Sequence, residues 1–188
     1  MYRKKGKRKL QKLLALGTAA AALTAACTLS LPAAAETEVS GRYYIDEENG
    51  FLLDINKGTA LENFRADFPG AEVQVFAGEE EVLEGYIATG QRIQITRDGQ
   101  TEEYTAVVPG DVSGDGAVDI SDVMATCKIL ARNAAGVESE QDAALAAAGV
   151  TEYQESGGVA QTVTISDVMA ICKVIASGGY IRYLPRIQ

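Results

Sequence analysis

The chain lacks histidine and tryptophan and has only three cysteines among its 188 residues. The absence of histidine excludes a Ser-His-Asp or Cys-His catalytic arrangement and an imidazole-bound zinc site. Without tryptophan, an aromatic platform for carbohydrate has to be built from tyrosines, and the candidates are Tyr43, Tyr44, Tyr86 and Tyr104. Among hydrolytic mechanisms, a pair of carboxylates acting on a glycosidic bond remains chemically open.

Acidic residues that could form such a pair occur between Glu38 and Pro109, but their surroundings argue against catalysis. They are Asp46, Glu47, Glu48, Asp54 and Glu79 to Glu81. The last run is typical of a solvated loop, and so short a segment leaves little room for a cleft deep enough to perturb a carboxyl pKa. We therefore expect that the protein is not an enzyme.

Residues 1–35 have the pattern of a secretory signal peptide. A basic segment, Met1 to Lys12, precedes an Ala/Leu-rich run over residues 13–31, and Pro32 to Ala35 offers a small-residue cleavage site. A membrane anchor is the competing interpretation, although the run is only weakly apolar. A lipoprotein anchored at Cys27 is a third interpretation, but the leucine of its lipobox lies one position too far from the cysteine. We expect a secreted, extracellular protein with no stable membrane span after cleavage.

The charge balance is acidic. Seven of the 17 basic residues lie in the leader, so the mature chain would carry ten against 26 acidic residues, a formal net charge of −16. Such a surface argues against nucleic acid and anionic lipid as partners.

Between Glu38 and Pro109, apolar residues recur with the two-residue period of strands. The alternating sets are Phe51, Leu53 and Ile55; Val73 and Val75; Ile93 and Ile95; and Tyr104, Ala106 and Val108. Arg97 to Gln100 has the composition of a tight hairpin turn. The pattern predicts a small, mostly antiparallel β module over residues 36–109.

One helix interrupts these strands. Thr59 to Glu62 has the pattern of a capping box, and Pro69-Gly70 stops the helix. Leu61, Phe64 and Phe68 fall on one face, which we expect to cover the sheet. The predicted fold class of the chain is therefore α+β.

The twelve residues from Asp111 to Asp122 place oxygen ligands at the spacing of an EF-hand-type calcium loop. The expected ligands are the side chains of Asp111, Ser113, Asp115, Asp119 and Asp122, and the backbone carbonyl of Ala117. Gly116 stands where the chain must turn sharply. An acidic surface turn is the alternative, but four carboxylates this close together would repel one another without a cation.

A repeat follows this loop. Ile120 to Ala131 recurs as Ile165 to Ala176, identical at nine of twelve positions, which indicates two copies of one supersecondary unit. Apolar residues recur at helical spacing in each copy: Val123, Thr126, Ile129 and Leu130, then Val168, Ile171, Val174 and Ile175. We expect Ser121 and Ser166 to be the N-caps, with Asp122 and Asp167 in the first turns.

This loop–helix duplication resembles the dockerin domain of bacterial cellulosomes over roughly Gly110 to Arg182. Dockerin repeats begin with G-D-V-x-G-D-G, which Gly110 to Gly116 matches closely. The resemblance implies an all-α, EF-hand-like domain (residues 110–182, with a tail at 183–188) that folds around calcium and binds a cohesin module on a scaffold protein. The implied cohesin-contacting residues are Ile120, Ser121, Cys127 and Lys128 in the first copy, and Ile165, Ser166, Cys172 and Lys173 in the second. Residues 36–109 also resemble, more weakly, short modules that precede dockerins in some secreted clostridial proteins.

The second loop departs from the dockerin pattern. Counting back from Asp167 places Ser156, Gly158, Ala160 and Thr164 at the ligand positions, with Gln161 where glycine is needed. A second register starts at Gly149-Val150 and contains a long insertion, Thr151 to Gly158, which carries Glu152 and Glu155. Neither register restores the site, so we expect one Ca²⁺ and not two. Val118 and Val163 hold matching positions and are candidates for pairing between the loops.

Two features of the helices stay open. The equivalent cysteines Cys127 and Cys172 are either small residues beside the recognition face or a disulfide pair, depending on where the helices cross. The near-identity of the helices allows a cohesin to bind either copy, although shared ancestry explains the identity equally well.

The expected function is therefore that of a non-catalytic dockerin-bearing protein, secreted by a Gram-positive-type bacterium, within a polysaccharide-degrading, cellulosome-like assembly. The alternative is an extracellular carbohydrate- or peptide-binding module with a structural calcium site and no cohesin partner. Polysaccharide is thus a second candidate partner.

Overall fold

The computed structural model describes residues 42–135, 142–151 and 162–181, which all belong to one compact unit, Thr37–Gln188. The signal-peptide prediction for residues 1–35, including Cys27, and the tail at 183–188 lie outside the described residues. Among the residues that are described, no helix is long and apolar enough to cross a membrane.

Six strands form one mixed sheet in the order β1-β2-β6-β5-β3-β4. They are β1 (Tyr44–Asp46), β2 (Phe51–Leu53), β3 (Glu72–Ala77), β4 (Glu80–Glu81), β5 (Arg92–Arg97) and β6 (Gln100–Ala106). All neighbouring strands are antiparallel except β2 and β6. The predicted hairpin turn is confirmed: Asp98 and Gly99 join β5 to β6 with φ of 53° and 79°, as a two-residue type I′ turn requires.

Helix α1 (Leu61–Ala66) covers one face of the sheet, as its apolar stripe predicts. Leu61, Phe64 and Phe68 are at most 2% exposed and pack with Val75 and Ile93 of the sheet. The predicted capping box is wrong. The N-cap is Ala60, which has no side-chain cap, and the Thr59 hydroxyl donates to the Asn56 carbonyl at 2.7 Å.

The other face of the sheet meets the C-terminal helices at β2. These helices are α2 (Ile120–Ala134), α3 (Ala143–Ala148) and α4 (Ile165–Ser177). Phe51 and Leu53 pack with them, whereas Leu52 packs on the α1 side. All three residues of β2 are buried because the strand is covered on both faces. The segments before and after the predicted boundary at 109/110 thus share a core, and that boundary stays a prediction.

Asp54 follows β2 in the left-handed region, at φ 66°, and burial raises its pKa to about 6. The folded protein therefore holds this proton to higher pH than the unfolded chain does. The stabilisation from the neutral carboxyl is complete below the unfolded pKa of about 4 and is lost as the pH rises through about 6.

We expect Asp54→Asn to raise the free energy of unfolding by about 1 kcal/mol at pH 7 and by little at pH 4, because asparagine is neutral and tolerates the same φ. Urea unfolding at both pH values measures this. The matched control is Asp98→Asn, since Asp98 also has positive φ but is exposed. Equal effects of the two substitutions, or no pH dependence for Asp54→Asn, would contradict the assignment.

Candidate metal centre and exposed helix faces

The predicted calcium loop packs against the segment Tyr86 to Thr89 of the β module. Gly114 has φ 77°, and a Cβ added there would lie 2.8 Å from the Thr89 carbonyl oxygen. Gly116 has φ 82°, and its added Cβ would contact Tyr86, Ile87 and Ala88 at 3.5–3.6 Å. Glycine at both positions therefore lets the loop turn and also approach the module closely.

The loop is folded around the carboxylate of Asp111, which is 0% exposed. Its Oδ2 accepts the amides of Thr89 at 2.9 Å and Gly116 at 3.1 Å. Its Oδ1 accepts the amides of Gly114 at 2.9 Å and Asp115 at 3.1 Å. One carboxylate therefore joins the loop to itself and to the β module.

Asp122 is the second fully buried carboxylate of the loop and lies in the first turn of α2. Its Oδ1 accepts the Ser113 amide and its Oδ2 accepts the Asp119 amide, each at 2.8 Å. Burial raises the pKa of Asp111, and the nearby charge of Asp122 raises it further, against the opposing effect of the amides. Neither carboxylate forms an ion pair with a lysine or arginine of the described segments.

The remaining predicted ligands, Ser113, Asp115, Ala117 and Asp119, are exposed. Asp115 Oδ1 accepts the Ala117 amide at 2.9 Å. Asp119 Oδ1 accepts the amide and hydroxyl of Ser121 at 2.7 and 2.8 Å, and these bonds lower the Asp119 pKa. The prediction that Ser121 and Ser166 are N-caps is wrong: Asp119 and Thr164 cap α2 and α4. Each cap lies two residues earlier because Asp122 or Asp167 completes a capping box with it.

The ligand chemistry suits a hard divalent cation, since every predicted donor is an oxygen. The structure brings only part of the set together. Asp111 and Asp122 are close enough to interact electrostatically. Within residues 42–135, 142–151 and 162–181, no three acidic, histidine or cysteine side chains are close enough together to hold a metal ion. The preassembled part of the site is therefore the buried carboxylate pair, and one bound Ca²⁺ stays a prediction.

The second loop follows the register that starts at Gly149-Val150. The Thr151 amide donates to Asp167 Oδ1 at 2.8 Å, as the Ser113 amide does to Asp122 Oδ1. The Thr164 amide donates to Asp167 Oδ2 at 2.8 Å, as the Asp119 amide does to Asp122 Oδ2. Thr164 lies thirteen positions after Thr151, whereas Asp119 lies six positions after Ser113. The insertion thus falls between the two threonines. Glu152 and Glu155 of the insertion, and Ser156, Gly158, Ala160 and Gln161 of the register counted back from Asp167, lie outside the described residues.

The residues that the dockerin resemblance implies for cohesin contact occupy equivalent surfaces of α2 and α4. Ile120 is 67% exposed and Ile165 is 62% exposed. The serines, the lysines and Cys127 are exposed as well, whereas Cys172 is half-buried. Cys127 and Cys172 are free thiols, so the disulfide alternative is wrong.

Sequence reasoning missed one residue on each surface. Met124 and Met169 are 59% and 63% exposed, one helical turn after the two isoleucines. The signal was present, because apolar residues at i and i+4 lie on one side of a helix. We define the α2 face as Ile120, Ser121, Met124, Cys127 and Lys128, and the α4 face as Ile165, Ser166, Met169, Cys172 and Lys173.

The tyrosines proposed for a carbohydrate platform do not share one environment. Tyr43 is buried and its ring stacks on Phe68 at 5.6 Å, whereas Tyr86 is 60% exposed. Tyr44 and Tyr104 are half-buried. Tyr43 is therefore a core residue and does not contribute to a surface platform.

The chain was compared with protein-family models, with curated proteins and with solved structures, and none of the three comparisons found a match.

Proposed function

We propose that this protein is a secreted, non-catalytic dockerin-bearing protein that binds a cohesin module in a calcium-dependent way, within a cellulosome-like, polysaccharide-degrading assembly. The observation that carries the proposal is the buried pair Asp111 and Asp122, of which Asp122 lies in the first turn of α2, next to the exposed apolar side chains of Ile120 and Met124. In this account residues 110–182 are the EF-hand-like domain. Secretion rests on the signal-peptide pattern of residues 1–35.

The charge of the buried pair supports a cation in this loop. Two carboxylates removed from water repel each other, and each pays a desolvation cost that a nearby cation would offset. Asp122 accepts only two hydrogen bonds from the described residues, both from amides. An ionised carboxylate has about four acceptor sites, so Asp122 retains capacity for a metal ligand bond, whereas four amides already occupy about that many sites on Asp111, which contributes its negative charge.

The position of Asp122 couples the cation to the α2 face. Asp122 closes the capping box of α2 with Asp119, and Ile120 and Ser121 lie between them. A cation bound to Asp122 and Asp119 would therefore hold the turn that presents Ile120. This coupling provides a physical route from calcium to cohesin affinity.

The composition of the α2 face suits a protein partner. Ile120 and Met124 together form an exposed apolar strip, flanked by Ser121 and Lys128. Exposed apolar patches rimmed by polar residues are typical of interaction sites, and methionine adapts readily to a partner surface. The α4 face has the same chemistry, which supports binding in either of two orientations.

Calorimetric titration against a panel of cohesin modules tests the proposal. With the α4 face removed by Ile165→Ala/Met169→Ala, we expect binding in calcium that weakens at least about tenfold in EGTA, a loss of about 1.4 kcal/mol. Ile120→Ala/Met124→Ala should remove binding through the α2 face, because central apolar anchors dominate most interfaces.

Leu83→Ala is the control, because Leu83 is 72% exposed but lies on the β module. It should leave the affinity unchanged. If no cohesin binds in calcium, or if Leu83→Ala weakens binding as much as the α2 variant does, the proposed function is wrong. If Ile120→Ala/Met124→Ala alone abolishes all binding, the α4 face does not serve as a second binding mode.

A further inference from the structure

The carboxylate of Asp167, at the start of α4, is 1% exposed and is held by two threonines. The Thr151 amide and hydroxyl donate to its Oδ1 at 2.8 and 2.6 Å. The Thr164 amide and hydroxyl donate to its Oδ2, both at 2.8 Å. Four donors on described residues therefore occupy about as many acceptor sites as a carboxylate offers. We call Thr151, Thr164 and Asp167 the threonine clamp.

Among the residues that the structure describes, no hydroxyl donates to the equivalent carboxylate of the first repeat, Asp122. Asp122 accepts the two matching amides, but the Ser113 hydroxyl lies 3.5 Å from the Ser121 hydroxyl and makes no bond to Asp122. At the second threonine's position stands Asp119, whose carboxylate accepts from Ser121. The two repeats therefore share the backbone amide donors to the buried carboxylate. They differ in what occupies its remaining acceptor sites.

The difference has a chemical consequence. In the first repeat, the carboxylate of Asp119 adds negative charge beside Asp122 and leaves acceptor sites open for a cation. In the second repeat, the hydroxyl of Thr164 adds a donor instead and removes that charge. Hydrogen bonds to an ionised carboxylate are the strong ones, so the clamp satisfies Asp167 without a metal.

We propose that the threonine clamp is a metal-free substitute for the second calcium site, and that it holds the first turn of α4 and the α4 face in place whether or not calcium is present. Calcium then controls only the α2 face. The protein consequently has two surfaces of the same chemistry, one dependent on calcium and one independent of it. The α2 half of this statement rests on the proposed function, whereas the clamp rests on the four hydrogen bonds to Asp167.

Hydrogen–deuterium exchange of the full chain, followed by mass spectrometry in calcium and in EGTA, tests the asymmetry without any partner. EGTA should speed exchange in residues 120–126 at least about tenfold, which corresponds to about 1.4 kcal/mol of local opening. Exchange in residues 165–171 should change by less than about twofold. An equal acceleration in both helices would overturn the proposal.

Two substitutions test the clamp itself. Thr151→Val/Thr164→Val removes both hydroxyls at nearly constant volume and should speed exchange in residues 165–171 at least about tenfold, in calcium and in EGTA alike. Thr151→Ser/Thr164→Ser keeps both hydroxyls and is the matched control. If the double valine variant does not fold, Thr151→Val alone is measured instead. It leaves the Thr164 cap intact, so we expect a smaller acceleration of exchange in residues 165–171. An unchanged α4 in either folded valine variant would overturn the clamp.

The outcomes separate the two proposals. If EGTA changes neither helix, calcium does not control α2 and the proposed function is overturned, whereas the valine variants still decide the clamp. If exchange behaves as expected but no cohesin binds, the proposed partner is wrong and the clamp stands.

Discussion

Asp111→Ala is expected to lower the free energy of unfolding by about 3 kcal/mol or more, measured by urea unfolding in EGTA so that calcium does not contribute. The substitution removes the acceptor of four amides, and Thr89 and Gly116, which donate two of them, are buried. Each buried amide left without a partner costs about 1–3 kcal/mol, which outweighs the relief of repulsion with Asp122.

Asp115→Ala is the matched control for this result. Asp115 is another carboxylate of the same loop, but it is exposed and accepts one bond, from the Ala117 amide. We expect it to change stability in EGTA by less than about 0.5 kcal/mol. Equal losses from the two substitutions would mean that the bonds to Asp111 do not organise the loop.

The second large effect is expected at Gly114. Gly114→Ala should destabilise the protein by about 2–4 kcal/mol, because the left-handed backbone costs about 1–2 kcal/mol and the new Cβ meets the Thr89 carbonyl. The distance to that oxygen would be 2.8 Å, and a backbone oxygen cannot move aside as a flexible side chain does. Thermal unfolding and a calcium titration measure stability and affinity together.

Gly70→Ala separates the clash from the backbone strain. Gly70 has φ 80°, close to the 77° of Gly114, but an added Cβ there has no heavy atom of the described residues within 4 Å. Gly70→Ala should lower the free energy of unfolding only by the cost of the left-handed backbone, about 1–2 kcal/mol, and should leave calcium affinity unchanged. If the two alanine variants unfold at the same temperature, the close approach of the loop to Thr89 does not contribute to stability.

Both results concern the role of the β module. The sequence indicated only a short module of the kind that precedes dockerins. The structure has the Thr89 amide bonded to Asp111, and Phe51, Leu53 and Val107 packed in one cluster with Val112 and residues of α3 and α4. The module therefore supports the predicted calcium loop directly, and changes within residues 86–89 should affect metal binding even though none of these residues is a predicted ligand.

Features that depend on neighbouring residues were predictable from the sequence. The Leu61, Phe64 and Phe68 stripe predicted a buried helix face, the Asp98-Gly99 pair predicted a two-residue turn, and the repeat after Asp119 predicted two equivalent helices. The stripe, the turn and the helical spacing within each copy of the repeat are local signals, which follow from the period of a helix or from the φ that a turn demands.

The helix starts were predicted two residues too late. Asp119 and Ser121 are both good N-cap residues, and so are Thr164 and Ser166. Local propensity does not choose between them. The buried carboxylates of Asp122 and Asp167 determine the helix start, because each accepts the backbone amide of the earlier residue of its pair.

Oxygen spacing, helical periodicity and turn composition are properties of short stretches of chain, and the amino-acid sequence alone determined them. The contact of Asp111 with Thr89, the burial of β2 on both faces and the closure of Thr151 and Thr164 on Asp167 were decided only by the tertiary structure. Thr89 contributes a backbone amide, which every residue except proline possesses, so no side chain marks the contact in the sequence. The two threonines are separated by an insertion, and only folding brings their hydroxyls to one carboxylate.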